Sequence, residues 1–142
     1  MRLLLITAVL LAGCGKPVAN VSVDEQLAPY FVRFTQEIGV SSDGIDAVFA
    51  DLDPSIIARC SVYDSGTRLI EVDSKKWAKS SENQREETIV HELGHCALYL
   101  DHRPGINAHG CPLSIMNPYA FGDTACYASN KPYYFRELKS GG

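Results

Sequence analysis

Five residues, His91-Glu92-Leu93-Gly94-His95, constrain the fold more than any other stretch of this chain. Residues four apart on a helix face the same way, with Cβ atoms ~5–6 Å apart, so the pattern brings two imidazoles together only if it is helical. Two such rings can converge on one cation at ~2.0–2.1 Å per bond, and Glu92, offset by one position, can address a metal-activated water as general base. Ile89, Val90, Leu93, Ala97, Leu98 and Leu100 flank them. Such a helix is buried over much of its surface, where two idle histidines and a carboxylate are costly. We therefore read His91 and His95 as zinc ligands. Ser80 or Ser81 caps this helix, and Glu82, Glu86 and Glu87 occupy its first turns, where the helix dipole favours negative charge.

A catalytic zinc site needs a third protein ligand and an open position. Asp101, His102, His109 and Glu137 are the candidates. On an unbroken helix His102 stands ~10 Å along the axis from His95, so the chain has to turn back first. Pro104-Gly105 is a clear stop but a late one, and no glycine between Cys96 and His102 eases an earlier turn.

The cysteines define the compartment. Met1-Arg2, the apolar run Leu3 to Leu11 and the small residues after it have the order of a secretion signal, and the run is too short to cross a bilayer as a helix. Leu11-Ala12-Gly13-Cys14 resembles the lipobox of bacterial lipoproteins. The resemblance implies that residues 1–13 are a signal peptide, that Cys14 carries lipid at the new N-terminus, and that 14–23 form a tether. Gly15 replaces the Asp that often retains such proteins in an inner membrane, so the expected location is the bacterial cell envelope, with the outer membrane favoured. Cys60, Cys96, Cys111 and Cys126 remain, an even set in an oxidising compartment. Four cysteines allow three pairings. We favour Cys111 with Cys126, which bracket a stretch containing Pro and Gly, and Cys60 with Cys96.

The 142 residues, 46% hydrophobic and 21% charged, suit one small domain. Seventeen acidic against thirteen basic side chains give a net charge of −4, so no broad basic field gathers phosphates and nucleic acid is excluded as a partner. An amphipathic helix is expected over about 24–38, ending at Gly39, followed by strands at 45–50, 56–63 and 68–73 separated by Asp53-Pro54 and Asp64-Ser65-Gly66-Thr67. After Pro132 the tail, Tyr133 to Leu138, reads as a short closing helix with Glu137 at the surface or in an ion pair.

The His91–His95 helix, His102 and Ser114-Ile115-Met116-Asn117-Pro118-Tyr119 together resemble a metzincin zinc metalloprotease, and most closely the small bacterial lipoproteins of that type. The likeness covers about residues 68–138. It implies an α+β, single-domain metzincin-like fold over 24–142, with a short mixed or mostly antiparallel sheet packed on the N-terminal and active-site helices. It also implies His102 as third zinc ligand, with Asp101 the alternative, and Met116 in a Met-turn that floors the site. Tyr119 is a candidate for stabilising the transition state, with ordinary packing the alternative. His102 follows His91 by eleven residues where the usual spacing is ten, and the usual turn glycine is missing, so Tyr99 or a neighbour is expected to be left-handed. The implied activity is hydrolysis of peptide or protein substrates by a monomeric, lipid-anchored zinc endopeptidase with Glu92 as general base. The rival reading is a lipid-anchored binding protein in which zinc is structural.

Overall fold

The structure, a computed structural model, describes residues 22–122 and 125–141. Residues 1–21, including the signal segment and Cys14, lie outside them. Among the described residues, four helices and a three-stranded mixed sheet make up an α+β domain. Among the described residues no helix is long and apolar enough to cross a membrane.

Helix α1 spans Ala28–Ile38 and buries Tyr30, Phe31, Phe34 and Ile38, the stripe that its spacing dictates. It starts four residues later than the sequence suggests. The Asp24 N–H is committed to the Ala47 carbonyl at 2.9 Å, so residues 24–27 form a turn instead. Gly39 ends the helix at φ 79°, a left-handed position that costs glycine nothing.

Strands β1 (Ile45–Ala50), β2 (Ala58–Val62) and β3 (Arg68–Asp73) follow. Their order is β1-β3-β2, with β1 parallel and β2 antiparallel to β3. Strand β2 is shorter than expected because Ile56 is drawn into a turn by its N–H bond to the Asp53 carbonyl. Val23 pairs with Ala47 and covers the outer edge of β1, so residues 22 and 23, the end of the expected tether, lie against the sheet. The outer edge of β2 faces the functional site.

Helix α2 (Ser74–Lys79) was not anticipated. The Asp73 side chain caps it by accepting the Lys76 N–H at 2.8 Å, and Trp77 anchors it edge-on against Tyr30 and Phe49. Helix α3 (Glu82–Leu98) opens on a reciprocal Ser81–Gln84 capping box. Helix α4 spans Ala125–Lys139, so it begins well before Pro132 rather than after it. Pro132 costs the helix a backbone bond. Tyr127, Tyr134, Phe135 and Leu138 nevertheless bury one continuous face across it, and Asn130 donates its side-chain amide to the Cys126 carbonyl.

Two disulfides join these parts in the favoured pairing. Cys60–Cys96 ties β2 to α3, and Cys111–Cys126 ties the loop after α3 to the first turn of α4. In chain-entropy terms, closing a loop of the second kind contributes ~3 kcal/mol.

Candidate metal centre and its cleft

Three imidazoles converge. His91 and His95 project from one face of α3, and the chain reverses at Tyr99, whose φ of 56° and ψ of 33° are left-handed. This non-glycine residue supplies the early turn that the sequence lacks a glycine for. The Leu100 N–H then bonds back to the Gly94 carbonyl, and His102 returns over the helix. His91 Nε2 lies 3.2 Å from His95 Nε2 and 3.3 Å from His102 Nε2. The three residues form a group that could hold a metal ion. Asp101 and His109 are exposed and contribute no atom to it.

The ring orientations are set by backbone carbonyls. His91 Nδ1 lies 2.7 Å from the Ile115 carbonyl and His95 Nδ1 lies 2.6 Å from that of Leu100. A carbonyl only accepts, so each Nδ1 carries the proton and each Nε2 keeps its lone pair for a cation. Burial pushes the His91 pKa down to about 4 and lowers that of His95, which keeps both rings neutral.

Beneath the triad runs the segment containing Met116. The Asn117 N–H bonds to the Ser114 carbonyl and the Met116 N–H to the Ser114 hydroxyl, giving a turn with Ile115 and Met116 at its corners. The Arg103 N–H reaches the Met116 carbonyl at 2.8 Å, so the residue after His102 is clamped to this turn. Glu137 braces the same junction. One of its oxygens accepts the Ile115 N–H and the other pairs with Arg103, both at 3.2 Å. The sequence placed Glu137 at the surface or in an ion pair; it is ion-paired, and it lies outside the histidine group.

Met116 is fully buried against Gly94, where a Cβ would overlap its sulfur and stand 3.0 Å from its terminal methyl. Mid-helix glycine costs ~1 kcal/mol relative to alanine, and this close approach is the reason it is kept. Leu138 lies 3.6 Å from the same point, in ordinary contact with it. Gly94→Ala should therefore destabilise the protein by about 1–2 kcal/mol, overpacking outweighing the propensity gain. Urea denaturation measures this, and in a Met116→Ala background the new methyl has room, so the penalty should shrink.

His91 and His102 open on a cleft of about 410 Å³. Its floor is α3, with Glu87, His91 and Glu92; the approach to β2 (residues 55–58) forms one side and Asn117–Ala120 the other. Glu92 is buried, which pushes its carboxyl up to about 7, with the nearby Cys60 N–H opposing that rise. Tyr119 stands at the rim and is 79% exposed.

Sequence reasoning placed the histidines, Glu92 and Met116 but missed three groups that shape the site. These are the Cys60 N–H, the bracing carboxylate of Glu137, and Glu87, which was read as a dipole partner and is instead buried in the cleft. Only the mid-helix Gly94 signalled in advance that something packs closely here. No protein-family model matches the chain, and no curated protein or solved structure matches it either.

Proposed function

We propose that this protein is a zinc-dependent endopeptidase of metzincin type, with the corresponding fold, held at the bacterial cell envelope by lipid on Cys14. The observation that carries the reading is the spacing of the imidazole nitrogens. A tetrahedral ion with bonds of ~2.0–2.1 Å sets its ligand atoms about 3.3–3.4 Å apart, and the pairs here are 3.2 and 3.3 Å apart. Three imidazole nitrogens beside an open cleft are the donor set of a catalytic rather than a closed structural zinc site.

When bound there, zinc supplies Lewis-acid chemistry, lowering the pKa of water and polarising the scissile carbonyl. Glu92 takes the proton from the attacking water on its carboxylate and returns it to the leaving nitrogen. The Cys60–Cys96 bridge fixes the Cys60 strand against α3, beside that carboxylate. The substrate backbone pairs with β2. The Asp73 N–H bonds to the Ile57 carbonyl and the Tyr63 N–H to the Thr67 carbonyl, so odd positions of this strand face β3 and even ones face outward. The outward N–H of Cys60 lies near Glu92, and the Ile56 carbonyl accepts Lys76 Nζ at 2.6 Å. Ala58 between them keeps its outward N–H and C=O for an extended peptide, in the manner of strand addition. Tyr119 is positioned at the rim to approach the developing oxyanion.

The test is metal analysis of the purified domain coupled to cleavage of a peptide library. One zinc per chain is expected, with cleavage abolished by a chelator and restored by zinc. Stoichiometric zinc with no cleaved peptide would overturn the peptidase reading in favour of a binding protein. The ligand set is tested separately. His102→Ala should weaken zinc binding beyond the ~10–100-fold typical of losing an outer-shell partner, whereas Asp101→Ala should leave it nearly unchanged; the reverse order removes His102 from the set.

A further inference from the structure

Two adjacent carboxylates on α3 are almost equally buried and are treated oppositely by the fold. Glu86 is matched by cations from two other helices, with Arg33 Nη1 at 2.9 Å and Lys131 Nζ at 2.5 Å. Glu87, about 100° further round the helix, is only 4% exposed and receives one backbone donor, the Phe121 N–H at 3.2 Å, and no cation among the described residues. It lines the cleft, and no Lys or Arg shares that lining. A carboxylate withdrawn from water without a counter-charge is costly; burial pushes this carboxyl up to about 7, and a cation brought in through the cleft would hold it ionised.

Glu87 lies one turn before His91, about 6 Å along the axis. A long basic side chain on a residue flanking the bond held over the histidines spans that distance, with its alkyl stem running along Ile56 and Ile57 and its charged end on the carboxylate. Ser55, Thr88, Asn117 and Tyr119 also line the cleft and bring no cation to compete. We infer that Glu87 is the specificity-determining residue of the cleft and selects peptides carrying Lys or Arg beside the scissile bond. The inference rests on the peptidase reading above and adds the substrate class to it.

Glu87→Gln isolates the charge, because the amide oxygen still accepts the Phe121 N–H and the volume is preserved. The experiment uses a peptide series differing only in the flanking residue, Lys, Arg, Gln, Leu or Glu, with kcat/KM measured for the zinc-loaded wild type and the variant. Melting temperature and zinc content are followed alongside and should match the wild type. Wild type should favour Lys and Arg over Gln and Leu by at least about tenfold, equivalent to 1.4 kcal/mol, chiefly through KM. In the variant that ratio should fall to near unity. Cleavage without a basic preference, or a preference that survives Glu87→Gln, overturns the assignment of Glu87 and leaves the peptidase reading standing. No cleavage of any peptide overturns both.

Discussion

Glu92→Gln should lower kcat for peptide hydrolysis by about 10²–10⁴-fold, the usual contribution of a positioned acid–base group, while zinc content stays at the wild-type level. The separation of the two readouts follows from where Glu92 sits. It stands one position from His91 on α3 but outside the group of three converging nitrogens, so it is not needed to hold the ion. Its buried carboxyl lies near the Cys60 N–H on β2. An amide of the same volume fits the same space, so the substitution removes the proton-accepting function and leaves the packing in place. Metal analysis and steady-state kinetics on the same preparation give both quantities. Equal turnover by the variant would sink the mechanism, and loss of zinc would move Glu92 from the chemistry to the architecture of the site.

Glu86→Ala should be the most damaging substitution for stability, costing about 3–5 kcal/mol, as expected when one partner of a buried ion pair is removed. Its side chain is 2% exposed and joins Arg33 on α1 to Lys131 on α4, both through one oxygen. The other oxygen and the Tyr127 hydroxyl are both buried with no hydrogen-bond partner, and burial together with the Glu86 charge raises the tyrosine's pKa. Deleting the carboxylate takes from Arg33 and from the part-buried Lys131 their shared acceptor and opens a cavity between three helices. Arg33 is half-exposed and recovers hydration, so Arg33→Ala should cost far less, on the order of 1 kcal/mol or below. Against a total stability of typically 5–15 kcal/mol, the first variant approaches unfolding and the second does not. Chemical denaturation of the zinc-loaded forms compares them; an unchanged midpoint for Glu86→Ala would mean that the three helices are held by apolar packing alone.

These contrasts mark what is legible in a linear chain. The helix carrying His91 and His95 follows from residue spacing and from the Ser81 cap, both local properties, and the structure forms it over Glu82–Leu98. The left-handed turn near Tyr99 follows because His102 cannot reach the other histidines from a continuing helix and no glycine is available to reverse it. The disulfide pairing was favoured on similarly local grounds, from the pattern around each cysteine. Element ends were less legible. Asp24 belongs to a turn because its N–H is taken by Ala47, and α4 crosses Pro132 because its buried face on either side outweighs one lost backbone bond. Helix α2 had a visible N-cap in Asp73, but its stability comes from Trp77 packing against Tyr30 and Phe49, partners distant in sequence.

Residue types and their helical spacing thus determined by themselves that two histidines and a glutamate would share one region of a buried helix, and that His102 was a candidate to join them. Tertiary structure alone decided the fates of the other acidic groups. Glu86, Glu87 and Glu137 look alike in the chain, yet one is neutralised between helices, one faces the cleft without a cation, and one braces the turn that holds Ile115 and Met116. The reason is physical. Spacing along a helix fixes direction within one element, whereas the charge and hydration of a carboxylate depend on which other elements pack over it, and that is set only when the whole chain closes.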